Sequence, residues 1–424
     1  MSKGSVVVVG AGVVGLSCAW WLSRRGVPVT VLAEQPLAES ASAGNAGLLS
    51  IGHAPLTKPG ASIRGLRWMF NRRSPLHIRP RPDPALLRWL WGFHRHCTQA
   101  WFARCMATLG PMGFPAIEAI EAILAEERID CDYARDGWLD VVLRPENMDH
   151  ALREARSLEP WGYRHRVLDG AALRAFDPAF REEVAGAVHH LDSAHCHPGE
   201  MLAGLRDAVV RRGVTVRGSA RVNGFLPAAG AAGARGAIRG VTLEDGSGVE
   251  AETVILAAGV WSGALARRVG VRVPMQGARG YHVQLEGVPR VPRTGCVLHE
   301  TFVAVTPMRR QVRLAGTLEI QPLGRPWMRE RLEMLAAGAC RYLHGITSAR
   351  TVGEWAGYRP CTWDGMPVVG PVARVPGLWL ATGHAMMGMT LGPVTGRLVA
   401  ERLCGDPPCV PEPLLSIMAA DRFG

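Results

Sequence analysis

At 424 residues the chain exceeds what one hydrophobic core usually organises, so two domains are expected. Its 48% apolar and 20% charged residues are those of an ordinary globular protein with a large core, not of a disordered chain. The formal charge of +11 is carried by arginine, with Lys3 and Lys58 the only lysines. That excess reflects either an arginine-favouring genome or attraction for anionic substrates, headgroups or nucleic acid. The ten cysteines form no CxxC pair and no zinc-finger spacing, so they read as reduced thiols and no metal is expected. The apolar run from Val6 to Leu22 is interrupted by glycines and carries no cleavage signal, which argues against both a secretory leader and a membrane span. A cytoplasmic protein is expected, with the inner face of the membrane as the alternative address.

In chain order, the β-branched run SVVVV (5–9) predicts a buried parallel strand, GAGVVG follows it, and LSCAWWLSRRG predicts a helix closed by Gly26. VPVTVLAE is a second strand, completing a βαβ unit. Residues 37–52, rich in Ala, Ser and Gly, read as a loop. Residues 63–105 hold nine arginines against one acid, Asp83, with Trp68, Trp89, Trp91 and Trp101 among them. Leu86, Leu87, Leu90 and Phe93 have helical spacing; 111–127 reads as a helix and 135–143 as a turn and strand. From Gly213 to Gly259 the pattern is β, with the low-complexity AAGAAGARGAIRG as a hairpin tip. VILAAGVWSGALARRVG and LWLATGHAMMGMTLGPVTGRLVAERL are two further strand-turn-helix units, separated by the strand-like HVQL, FVAVTP and QVRLAGTLE. The expected fold is mixed α/β. A Rossmann-like dinucleotide domain is built from 1–52, 150–275 and 348–424, and a substrate domain with an antiparallel sheet and helices from 53–149 and 276–347.

The fingerprint is Gly10, Gly12 and Gly15: a tight turn, a bare approach for a pyrophosphate, and close packing of helix on strand. Val13 and Val14 open a helix whose free N–H groups face the phosphates. Glu34, with Gln35 beside it, ends the second strand, where a carboxylate bonds ribose hydroxyls and repels a 2′-phosphate. The delay of the third strand-turn-helix unit until after residue 250, and a final turn suited to a flavin, favour FAD over NAD.

Five blocks in this order resemble the D-amino acid oxidase superfamily of flavoenzymes, over nearly the whole chain: GAGVVG with Glu34, SAGNAGLLS (42–50), ILAAGVWSG (255–263), GYRPCTWDGMPVVGP (357–371) and ATGHAMMGMTLGPVTG (381–396). The resemblance is strongest to the bacterial D-amino acid and D-hydroxyproline dehydrogenase group, with glycine and sarcosine oxidases as relatives. It implies that Ser42, Ala46, Gly47 and Leu48 line the flavin, Val222 the adenine side, and Ala258, Gly259 and Trp261 the ribityl and pyrophosphate. It implies that Gly383, His384, Gly388, Met389 and Thr390 offer backbone N–H groups to the N1–C2=O edge, where reduced flavin is negative. Arg359 matches the arginine that grips the substrate carboxylate so that Cα–H faces N5. His384 is the candidate for tuning the amine or the flavin. Tyr281 and Ala304 are further substrate-side positions. Ala304 stands where glycine oxidase has a tyrosine, and Met386 where it has an arginine. Met386 and Met387 therefore suit a side chain or ring larger than glycine, or simply fill the core. Cys361 does not match the covalent cysteine of sarcosine oxidase, so FAD is expected to be non-covalent.

The implied reaction is oxidation of a small amino acid, with D-proline or cis-4-hydroxy-D-proline as the resemblance-level substrate and a quinone or electron-transfer partner as acceptor. Some oxidase relatives carry an oxygen-activating lysine; Arg279 takes its place in GARGYHVQL, which favours a dehydrogenase over an O2-using oxidase. Residues 63–105 suit a peripheral membrane contact, a partner subunit, or an amphipathic helix packed on its own domain. His195 and His197 share a strand face without a further metal ligand. A flavoprotein subunit of a larger dehydrogenase is a second functional class. A tRNA-modifying flavoenzyme is a third; no RNA motif accompanies the basic charge, so no nucleic acid is expected.

Overall fold

The computed structural model describes residues 4–69, 71, 73–228 and 236–424. The architecture is mixed α/β, as expected. Five parallel strands are ordered Leu378–Thr382, Thr253–Leu256, Val6–Val9, Val29–Leu32, Thr215–Arg217, and Val368–Pro371 adds an antiparallel edge. The runs VVVV, VTVL and TVIL are almost wholly buried, which is why they lack polar alternation: helices cover both faces of a parallel sheet. The three strand-turn-helix units of the sequence therefore converge on adjacent central strands.

The helix Val13–Ser23 is buried nearly all round. It crosses the helix Gly388–Cys404 at glycine: a Cβ on Gly396 would come within 2.5 Å of the Ser17 carbonyl carbon. Small residues at the crossing bring two backbones together, and with them the two helix N-termini.

The second layer is a nine-stranded sheet. Arg350–Thr362, Met275–Glu286, Gln311–Ile320, Val303–Met308, Gly295–Leu298, Trp138–Val142, Gly186–His190 and His165–Asp169 follow one another, and Leu76–Ile78 pairs with Gln311–Ile320. Its back is sealed by the helix Arg329–Ala339, with Leu332 and Leu335 against Tyr281, Val283 and Leu314.

Two expectations need correction. The strands His165–Asp169, Gly186–His190 and Arg350–Thr362 were assigned to the dinucleotide part but lie in the nine-stranded sheet. The last is held there by pairing with Met275–Glu286 from Met275↔Thr362 to Glu286↔Arg350, a ladder that no local pattern announces. The helix expected at 111–127 runs from Gln99 to Glu127. Thr98 caps it, its hydroxyl accepting from Trp101 N at 3.2 Å, and Pro111 and Pro115 are accommodated inside. The expected hairpin tip falls largely on 229–235, outside the described residues. The flanking strands Val222–Pro227 and Ile238–Leu243 do pair antiparallel.

Candidate active site

A continuous cavity of about 1880 Å³ lies between the two sheets. Both glycine turns open into it: Gly10, Gly12, Val13 and Val14 from one side, and Gly383, His384, Gly388, Met389 and Thr390 from the other. At Gly10 and Gly15 the backbone of the first turn permits nothing but glycine. Gly10 has φ +112°, and a Cβ there would sit 2.5 Å from Ala257 O; a Cβ on Gly15 would overlap the Gly10 carbonyl oxygen. Gly12, the N-cap, brings no side-chain cap to the Val13–Ser23 helix. Ser42 reaches in from its loop, accepting from Val13 N at 3.0 Å at the start of the Val13–Ser23 helix. Glu34, Gln35, Val222, Ala258, Gly259 and Trp261 line the cavity too. Arg221, unmarked by any motif, lies 3.4 Å from Glu34.

Ala46 and Leu48 line the cavity; Gly15 and Gly47 do not. Gly47 serves geometry: at φ +91° its Cβ would meet Cys196 O at 2.5 Å. The loop bearing them is held from the sheet. Buried Arg313 donates to Ala43 O at 3.1 Å and Asn45 O at 2.6 Å, and His282 Nδ1 contacts Gly44 O at 2.9 Å. Burial brings the Arg313 pKa down to about 10 and that of His282 to about 3.

The helix Gly388–Cys404 begins without a side-chain cap and without an acid in its first turn, so its dipole end is free to meet negative charge. His384 borders it, but its Nε2 lies 2.8 Å from Thr395 Oγ1 and burial pushes its pKa down to about 4. The ring is a neutral strut that sets the turn, in which Ala385 adopts φ +49°. Met386 and Met387 line the cavity, while Met387 and Met389 also belong to the core around the dinucleotide sheet.

Arg359 enters from the nine-stranded sheet. A β-bulge sets Thr317 and Leu318 opposite Gly280, with Thr317 in the left-handed region at φ +54°. The Thr317 carbonyl accepts from Arg359 Nη1 at 3.0 Å. Among the described residues Arg359 has no carboxylate partner, and its remaining N–H groups have no protein acceptor. A half-buried, unpaired guanidinium in a cavity is a receptor for an anion. Gly280 makes its position available, since a Cβ there would overlap Nη1, Cζ and Nη2. Gly280→Ala is expected to raise KM about 10–100-fold through displacement of the guanidinium, with FAD content unchanged; flavin-reduction titrations check this.

Tyr281 departs from expectation. It borders the cavity, but its hydroxyl donates to Glu319 and accepts from Met328 N at 3.2 Å, in the core behind the sheet. The neighbouring strands place the small side chains of Ala304 and Ala315 on the cavity wall. His197 is the cap of the helix Pro198–Arg211, its Nδ1 accepting from Glu200 N at 3.1 Å. Among the described residues no group of three or more His, Cys, Asp or Glu side chains is arranged to hold a metal ion.

The glycine cradle, two helix N-termini whose own N-cap residues supply no capping side chain, and a cavity larger than one small molecule needs fit an extended dinucleotide. A family model described as FAD dependent oxidoreductase (DAO) matches residues 5–402. The chain belongs to the DAO family of FAD-dependent oxidoreductases. Within this family it is 32% identical over 430 residues to the D-amino acid dehydrogenase of Cereibacter sphaeroides, covering 98% of this chain and 96% of that protein. It is 30% identical over 410 residues to the D-amino acid dehydrogenase of Methylobacterium nodulans, covering 95% and 96%. Glycine oxidase from Geobacillus kaustophilus shares the fold with a TM-score of 0.75 at 20% identity, covering 100% and 99% of the two chains.

This DAO-family fold buries several neutral histidines that charge readily when unfolded, His282 and His384 among them. For His282 and His384 the folded pKa lies below the unfolded value near 6.5, so the unfolded chain binds more protons as pH falls below that value. Stability is complete above about pH 7 and declines on acidification towards pH 4, by at most about 1.4 kcal/mol per pH unit for each ring. A Tm series between pH 8 and pH 5 at constant ionic strength is expected to fall on the acid side.

Proposed function

We propose that this enzyme oxidises the C–N bond of a small D-amino acid. The observation that carries the reading is Arg359, an anion receptor without a protein carboxylate, in one cavity with the FAD cradle. Bound FAD supplies the acceptor for the Cα hydride. Arg359 binds the substrate carboxylate and fixes Cα, the bulge at Thr317 fixes Arg359, and the Gly388–Cys404 helix end steadies negative charge on the cofactor edge. His384 is a positioning residue in this scheme. Met386 and Met387 with Ala304 leave an apolar, open side, which supports a side chain or ring such as that of D-proline or hydroxy-D-proline. The similarity to D-amino acid dehydrogenases supports the D series. FAD is held without a covalent bond: the buried Cys361 thiol, pushed up to about 12, is a poor nucleophile.

The proposed acceptor is a quinone met at the inner face of a membrane. No helix among the described residues is long and apolar enough to cross a bilayer. A peripheral approach is supported at the helices Ala61–Met69 and Pro84–His96, where Ile63, Leu66, Leu87 and Trp91 are each 60–63% exposed. Arg88, Arg95 and Arg104 lie nearby without a carboxylate partner among the described residues, which suits anionic headgroups. Arg279, in the position where oxidase relatives carry lysine, is not on the cavity wall; its guanidinium lies 4.6 Å from the Tyr358 ring centroid. The test is an anaerobic screen of amino acids for bleaching of the flavin, repeated in air with and without a quinone analogue. Bleaching by D- but not L-amino acids, with turnover only when the quinone is added, is the expected result. Turnover in air alone would make the enzyme an oxidase, and bleaching by no amino acid would remove the reading.

A further inference from the structure

One stretch of the cavity wall carries ionisable side chains that the reaction above does not use. Asp140, His150, Glu154, His299 and Lys58 all line it. His299 Nδ1 lies 3.1 Å from Asp140 Oδ1. The His299 ring stands edge-on to that of His150, with centroids 5.6 Å apart. His150 Nε2 is 3.8 Å from Glu154 Oε1, and the same oxygen meets Lys58 Nζ at 2.5 Å. Side-chain exposure climbs along the run, from 8% at Asp140 and 18% at His299 to 57% at His150. These titratable groups form a file along the cavity wall, from a buried carboxylate to an exposed ring.

Oxidation of an amino acid bound as its ammonium form releases a proton that such a file can take. The substrate ammonium has no lone pair with which to form C=N until one N–H bond breaks. Asp140 holds the proton on His299 Nδ1 and leaves Nε2, which has no protein partner among the described residues, as the base. The groups facing His299 are Asp140 on the adjoining strand, Glu300 in its own turn, His150 and Glu154 on the helix Met148–Arg156, and Lys58 on the loop after His53. The carboxylates prevail, Asp140 first, and hold the His299 pKa above that of an ordinary histidine. His190, stacked on Trp138 one strand beyond, stays neutral because burial pushes it down to about 4.

We propose that Asp140, His299 and His150 form the proton outlet of this cavity, taking the ammonium proton of the substrate and passing it to bulk water. The proposal rests on the amino-acid reading above. In the balanced step an N–H bond of the ammonium breaks and its proton passes through cavity water to His299 Nε2. The nitrogen pair forms C=N as the Cα hydrogen leaves with its electrons to the bound FAD. The proton then moves from His299 to His150 and out. One proton and one hydride leave, and the iminium of the amino acid remains.

The test is single-turnover anaerobic reduction of the holoenzyme by a D-amino acid that bleaches the wild-type flavin, followed by flavin absorbance and an indicator dye for released protons. His299→Gln is expected to keep its FAD and to slow both signals about 10–100-fold near pH 7. The defect should shrink to under about threefold near pH 10, where the solution itself deprotonates the amine, and added imidazole should restore the rate at pH 7. Asp140→Asn should move the acid limb of the rate profile to lower pH. A wild-type rate in His299→Gln, or a loss of equal size at both pH values and deaf to imidazole, would overturn the outlet. A wild-type enzyme that no amino acid reduces would overturn the reading beneath it, and the outlet with it.

Discussion

Arg359→Ala is expected to raise KM for the amino acid by about two to three orders of magnitude, with FAD content and flavin spectrum unchanged. The guanidinium makes one bond to protein, to Thr317 O, and offers the rest of its fork to the cavity. Removing it costs the substrate a bidentate, charge-assisted pair and leaves a carboxylate facing apolar wall, about 3–5 kcal/mol in a desolvated site. Arg359→Lys should recover only part, because an ammonium keeps the charge and loses the fork that orients Cα. Steady-state kinetics alongside flavin spectra of the two variants decide the matter. A variant with wild-type KM would show that Arg359 does not hold the substrate.

Gly15→Ala is expected to weaken FAD binding about 10–100-fold and to yield largely colourless protein. The new Cβ would overlap the Gly10 carbonyl oxygen, which is backbone and cannot swing away as a side chain would. Relief comes only by lifting the Val13–Ser23 helix from the Val6–Val9 strand, an overpacking cost of about 1–3 kcal/mol taken directly from the phosphate cradle. Ser42→Ala is the contrasting case, since it removes one acceptor from Val13 N and leaves the backbone path intact. Flavin content after purification and fluorescence titration of the apoprotein separate the two. A Gly15→Ala protein that retains FAD with wild-type affinity would locate the dinucleotide elsewhere.

The dinucleotide half was readable because its signals are local. A strand, a glycine turn and a helix follow one another within thirty residues, and Gly10 and Gly15 are demanded by backbone overlap that a short motif already encodes. The late turn at Gly383–Thr390 was readable for the same reason, and the structure brings both turns to one cavity. Tyr281 and His384 were given site roles through the family resemblance. Each spends its polar atom elsewhere, on Glu319 and on Thr395, because strand alternation and helix packing set where a side chain points.

Residue chemistry along the chain thus decided the cofactor class and the central parallel strands, and the family resemblance singled out Arg359 as the proposed anion-binding arginine. Only the tertiary structure decided that Arg350–Thr362 joins the larger sheet, that a bulge at Thr317 and the bare Cα of Gly280 set the guanidinium, and that Asp140, His150 and His299 share a wall. The reason is range. A turn or a buried strand is fixed by neighbours a few residues away, whereas Asp140 meets His299 159 residues later through strand pairing, and pairing partners leave no mark in either local pattern.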